Sequence, residues 1–101
     1  KMHQTVLNRC RSKLIKDLNV DVVMMYIQEK ELLDDFTIRD IKQQITETKA
    51  ISHLIDQIKQ RDKDTYERFK ECLILAKRAD IKRMLDEEEA KSSADTKVKC
   101  H

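Results

Sequence analysis

With 101 residues and a net charge of +2, the chain has room for one small domain with a modest core. It contains no glycine and no proline, which excludes glycine-rich phosphate loops and the many tight turns of a small all-β domain, and leaves helices joined by short polar turns. Charged residues make up 40% of the chain, well above the ~25% usual in globular domains, but the apolar residues recur at helical spacing, so most of the chain is expected to fold.

The first segment runs from about Met2 to Leu18. Leu7, Cys10, Leu14 and Leu18 fall three or four residues apart and form one apolar stripe. Arg9, Arg11, Lys13 and Lys16 lie off that stripe, and no acidic residue precedes Asp17. Asn19-Val20-Asp21 reads as a break with Asp21 as the cap of a second helix, Val22 to Leu33, which is apolar nearly all round at its start, with Met24 and Met25 as core filler. Asp34-Asp35 mark the next turn, and a short helix from about Thr37 to Ile45 groups Ile38, Ile41 and Ile45. A fourth helix is expected from about Lys49 to Gln60, with Ala50, Ile51, Leu54, Ile55 and Ile58 inward.

Arg61 to Asp64 form a polar break. Asp64 followed three residues later by Glu67 resembles a capping box for a fifth helix that turns Tyr66, Phe69, Leu73 and Ala76 inward. Asp80 is the expected cap of a short sixth helix with Ile81, Met84 and Leu85. The apolar pattern ends there, so residues 1–86 read as the helical domain and 87–101 as a polar tail or linker, with Glu87-Glu88-Glu89 a solvated charge run. Lys1 ahead of Met2 reads as an added residue, and His101 as a possible tag remnant.

Chemistry-bearing constellations are scarce. Cys10, Cys72 and Cys100 are odd in number and widely spaced, which reads as reduced thiols of a cytosolic protein and not as a metal site. His3 and His53 read as surface side chains. No Cys–His pair and no acid–base pair with a pocket emerges, so no catalytic residue, metal or cofactor is assigned and a non-enzymatic interaction module is expected. The longest apolar run is Val22 to Ile27, far short of the ~18 residues that span a bilayer, and residues 1–4 open no signal-peptide core. Nucleic acid is a poor fit, since the two Tyr and two Phe that could stack on bases lie mostly at expected core positions and the net charge is only +2. The alternative to an interaction module is a helical structural or nucleic-acid-binding domain.

Six short helices in this order resemble the death-fold superfamily, and at residue level the caspase recruitment domain, or CARD. Val6 to Leu18 resembles that family's basic first helix, and Asn19-Val20-Asp21 the opening of helix two in initiator caspases. Glu29-Lys30-Glu31-Leu32-Leu33 resembles the close of helix two, and Ile38-Arg39-Asp40-Ile41 the paired isoleucines of helix three. Ala50 to Ile58 resembles helix four and Asp64 to Leu73 helix five. The likeness covers roughly Thr5 to Leu85, with initiator-caspase and apoptosome-scaffold CARDs looking nearest. Where the family usually has glycine before helix five, this chain has Asp62.

The resemblance implies an all-α, six-helix antiparallel bundle of Greek-key topology. It further implies homotypic docking onto another CARD-containing protein in cell-death or innate-immune signalling, by a basic patch on helices one and four against an acidic patch on helices two and three. Residues 1–16 hold five basic and no acidic residues, and residues 19–40 hold six acidic against two basic. The implied basic patch is Arg9, Arg11, Lys13, Lys16 and Lys49, and the implied acidic patch Asp21, Glu29, Glu31, Asp34, Asp35 and Asp40. Arg11 sits where initiator caspases place their helix-one interface arginine. Their helix-four arginine positions are Glu47 and Ile51 here, with Lys49 nearby, and the scaffold's helix-two aspartate position is Met25. A chain with opposite patches can associate head to tail into oligomers or open filaments.

Overall fold

The computed structural model describes residues 2–100, with side chains from Met2 to Lys91. Its elements are α1 (Met2–Asp17), α2 (Val20–Glu29), α3 (Asp35–Lys42), α4 (Glu47–Gln60), α5 (Lys63–Leu75) and α6 (Ala79–Cys100), with no strand among the described residues. The expected all-α class and six helices are what is found.

The core follows from the apolar spacing. His3, Val6, Leu7, Cys10 and Leu14 form the buried stripe of α1, which meets Ala50, Ile51, Leu54, Ile55 and Ile58 of α4 and Ile81 and Leu85 of α6 in one cluster with Met24, Ile27, Tyr66, Phe69 and Leu73. Packing pairs α1 with α4 and α6, α2 with α5, α3 with α4, and α5 with α6.

Several helix ends lie elsewhere than the sequence suggests. Asn19, not Asp21, caps α2: its side-chain oxygen accepts from the Val22 amide at 3.2 Å, and the helix has already begun at Val20. Asp62, not Asp64, caps α5 and accepts from the Thr65 amide at 3.0 Å; the expected partner Glu67 instead approaches Lys70. Both caps sit two residues early because the apolar residues next to the break, Leu18 and Tyr66, must reach the core. Asp80 lies in the first turn of α6, where Arg78 binds it and holds its carboxyl below the usual range. The α3 helix stops at Lys42, so Ile45 does not join Ile38 and Ile41 but stands 88% exposed before the Thr46 cap of α4.

Two helices end without the glycine such endings favour. After α2, Glu31 takes φ 54° while its amide donates to Gln28 O and the Leu32 amide to Ile27 O. After α5, Lys77 takes φ 63° with the equivalent bonds to Ile74 O and from Arg78 to Leu73 O. These are paired-bond C-terminal caps in the left-handed region, adopted by non-glycine residues at a cost of about 1 kcal/mol each. Asp62, where the family's glycine usually stands, is extended at φ −79° and needs no left-handed backbone. The chain therefore leaves α2 at Glu29, four residues before the expected end, and Leu32 and Leu33 enter the core from the loop.

Two expectations about exposure are also corrected. Met25 is not core filler: it is 53% exposed, whereas Met24 is buried. His3 is buried: its ring stacks on Tyr66 at 5.6 Å, and Nε2 donates to the Arg61 carbonyl at 3.0 Å. The sixth helix is not short. It continues past residue 86, and Glu88 and Glu89 face the bundle. Of the expected tail, side chains beyond Lys91 lie outside the described residues, as do Lys1 and His101.

Candidate docking surfaces

The basic residues of α1 leave the helix on two flanks. At 3.6 residues per turn, Arg11 projects about 160° around the helix from both Arg9 and Lys13. Arg11 faces α4 on the stripe of Gln4 and Asn8. Gln4 donates to the Lys59 carbonyl at 3.0 Å, and Lys59 Nζ donates to Asn8 Oδ1 at 2.6 Å. Arg11 Nη1 donates to Ser52 Oγ at 2.7 Å, and Nη2 pairs with Asp56 Oδ1. These contacts make α1 and α4 antiparallel neighbours, and Lys49, Ser52 and Asp56 share one stripe of α4. On the other flank Arg9 lies 3.8 Å from Glu88 of α6, and Lys13 lies 3.8 Å from Asp17. Lys16 and Lys49 are exposed, with no carboxylate within 4.0 Å among the described residues. The structure thus brings Arg11 and Lys49 to the α1–α4 seam and leaves Arg9 and Lys13 outside it. Of the helix-four positions, Ile51 is buried, and Glu47 accepts from the Val20 amide at 3.1 Å.

The acidic residues divide as well. Asp21, Met25 and Glu29 recur every fourth residue along the outward stripe of α2, opposite its buried Val23, Met24 and Ile27. Phe36, 78% exposed, stands between Asp35 and Asp40 on the outer side of α3. Glu31, Asp34 and Asp35 line one shallow hollow between the end of α2 and the start of α3. Asp34 caps α3; the Thr37 hydroxyl, the Thr37 amide and Arg61 at 3.6 Å hold its carboxyl below the usual range. Asp40 turns toward α4, where its Oδ2 lies 2.8 Å from His53 Nε2 but off the hydrogen-bond line. His53 is accordingly half-buried and not the surface side chain expected. Asp21, Glu29, Glu31 and Asp35 have no cationic partner within 4.0 Å among the described residues. Lys42 reaches across the α2–α3 seam to Gln28 at 3.1 Å.

Sequence reasoning missed four features. Asp56 was unassigned, although its seven-residue spacing from Lys49 marks the shared stripe. Met25 looked like a core residue because apolar spacing alone cannot say which side of a helix faces out, and Phe36, just ahead of the expected third helix, was unassigned. The fourth is Lys70, 5% exposed, with Glu89 at 2.7 Å, Asp86 at 2.9 Å and Glu67 at 3.3 Å from its amine. Burial alone would lower the Lys70 amine and raise the Asp86 carboxyl, but the hydrogen bonds and charges between them outweigh it, so the amine is raised and the carboxyl lowered. Burial pushes the Cys72 thiol up to about 11, and burial with nearby Glu88 raises Cys10. Both thiols are therefore protonated and weakly nucleophilic at neutral pH. Among the described residues, no group of His, Cys, Asp and Glu side chains could hold a metal ion, and no helix is long and apolar enough to cross a membrane.

Compared with known families, residues 4–88 match the model of the caspase recruitment domain. No curated protein matches the chain.

Proposed function

Because the chain belongs to the caspase recruitment domain family, whose members are homotypic protein-interaction modules, we propose that it recruits another such domain in cell-death or innate-immune signalling, through charged contacts of the α2–α3 and α1–α4 surfaces. The observation that carries this reading is the pair of outward stripes on α2 and α3, where bare carboxylates flank exposed apolar side chains. Asp21 and Glu29 flank Met25, and Asp35 stands beside Phe36. A surface of this kind offers apolar anchors for affinity and charges for partner choice. A cytosolic setting accords with Cys10 and Cys72 being buried, unpaired thiols.

The test uses a panel of purified CARDs from initiator caspases and adaptors, immobilised and probed with this chain. At least one should bind, and Glu29→Lys/Asp35→Lys should weaken it about tenfold, from two charge pairs of ~0.5–1 kcal/mol each. Binding should weaken gradually with salt, not with the steep log-linear slope of phosphate binding. No binding across the panel, or binding indifferent to the charge reversals, overturns the reading.

A further inference from the structure

The two candidate surfaces differ in how far the chain satisfies its own charges. On the α1–α4 seam the guanidinium of Arg11 is already engaged. One terminal nitrogen donates to Ser52 Oγ at 2.7 Å and the other pairs with Asp56, leaving the side chain 28% exposed. A carboxylate arriving from another molecule meets an arginine whose charge is matched and whose fork is partly occupied. It must displace Asp56 or settle for the remaining donors. On the α2–α3 side Asp34 is held by Arg61 at 3.6 Å and Asp40 lies 2.8 Å from His53, but the outward carboxylates are left bare. Asp21, Glu29 and Asp35 have no cation within 4.0 Å among the described residues, and Met25 and Phe36 beside them are 53% and 78% exposed. Lysine and arginine fit such a surface twice over, their aliphatic stems lying on the apolar groups and their heads meeting the carboxylates.

We propose that Asp56 makes this chain a one-sided module: by pairing with Arg11 it occupies the arginine of the α1–α4 seam and leaves Lys49 as the bare cation there, so the chain takes a basic-faced domain on α2–α3 and does not polymerise on copies of itself. This rests on the docking reading above and adds the kind of partner and the residue that decides it. A partner on α2–α3 leaves Asp56 untouched, whereas self-association must compete with it at every contact. The head-to-tail filament that opposite patches would permit is therefore suppressed at its basic half.

Light scattering with size exclusion over a concentration series tests this, using the chain and its variants as their own probes. The wild-type chain should stay monomeric. Asp56→Ala, and more weakly the size-preserving Asp56→Asn, should self-associate about three- to tenfold more tightly than wild type, the share of a half-exposed ion pair. Arg11→Glu in the Asp56→Ala background should return the chain to a monomer. Wild type mixed with Asp56→Ala/Asp35→Lys, which has an open basic face and a spoiled acidic one, should form a heterodimer. Helical circular dichroism controls for folding. Wild type associating as tightly as Asp56→Ala would overturn the role of Asp56 while leaving the docking reading intact. Monomers in every variant and mixture would also overturn it, and the CARD panel judges the docking reading separately.

Discussion

Lys70→Met removes the amine at the centre of the α5–α6 contact while keeping the aliphatic stem. Three carboxylates converge on that amine, and Glu89 also accepts from the Tyr66 hydroxyl at 2.7 Å. Breaking a fully buried ion pair costs about 3–5 kcal/mol, because the abandoned charges stay out of water. Here the side chains of Glu89, Asp86 and Glu67 are 21%, 38% and 46% exposed, so they can partly rehydrate, and Asp86 keeps Lys82 at 2.6 Å. We expect a loss of about 2 kcal/mol, a fall in Tm of roughly 10 °C for a domain of this size. Urea unfolding followed by helical circular dichroism measures it. The pH dependence gives a second readout. The lowered Asp86 carboxyl contributes stability that is present above its unfolded pKa of about 3.9 and fades as pH falls through the folded value. The raised Lys70 amine contributes stability that is complete below about 10.4 and is lost as pH rises through its folded value. Lys70→Met should remove the Lys70 share of the alkaline loss, leaving that of the raised Cys10 and Cys72 thiols, and shrink the acid limb. A loss below about 0.5 kcal/mol, in the range of ordinary surface substitutions, would show that the cluster is solvated and does not hold α6 to the bundle.

Lys77→Gly should stabilise the domain by about 0.5–1 kcal/mol, since Lys77 is exposed and held at φ 63° where only glycine rests without strain; the same urea titration reads it, and destabilisation would mean the lysine makes a contact worth more than the backbone strain. Asp62→Ala should cost about 1 kcal/mol by removing the α5 cap, whereas Asp64→Ala should cost at most a few tenths; thermal melts of the two variants decide, and equal losses would place the cap at neither residue alone.

Much of the fold is legible because one rule, apolar residues three or four apart, governs each core stripe. Leu7, Cys10 and Leu14 behave as spaced, and so do the isoleucines and leucines of α4. Helix ends are harder to read because capping chemistry is degenerate at this scale. Asn19 and Asp21 are both competent caps, as are Asp62 and Asp64, and the choice falls to whichever starting point carries the neighbouring apolar residue into the core. Ile45 fits the spacing of Ile38 and Ile41 but loses its place once Gln43 ends α3 and Thr46 must begin α4. The absence of glycine is read correctly as favouring helices. It does not reveal that Glu31 and Lys77 take the conformation glycine usually supplies.

The candidate site is legible in sign but not in availability. A count of charges finds a basic first helix and an acidic stretch after it, and both survive in the structure as local compositions. Whether a charge can serve a partner depends on what the chain has already placed against it, and that partner lies far away in sequence. Asp56 answers Arg11 from 45 residues away, and Glu89 answers Lys70 from 19. The run Glu87-Glu88-Glu89 looks like a solvated tail until the packing of α5 on α6 puts Lys70 beneath it. A helix also distributes neighbours in sequence around its circumference, so Arg9 and Arg11, two residues apart, serve opposite flanks. Arg9 is drawn to α6 and Arg11 to α4. The carboxylates that remain unsatisfied after these pairings are concentrated on α2 and α3, where the helices are short and only one side of each is packed. The asymmetry between the two faces is therefore a consequence of tertiary pairing. One carboxylate on α4 is enough to set it, which is why Asp56 and not the larger count of lysines and arginines on α1 governs how the domain presents its basic side.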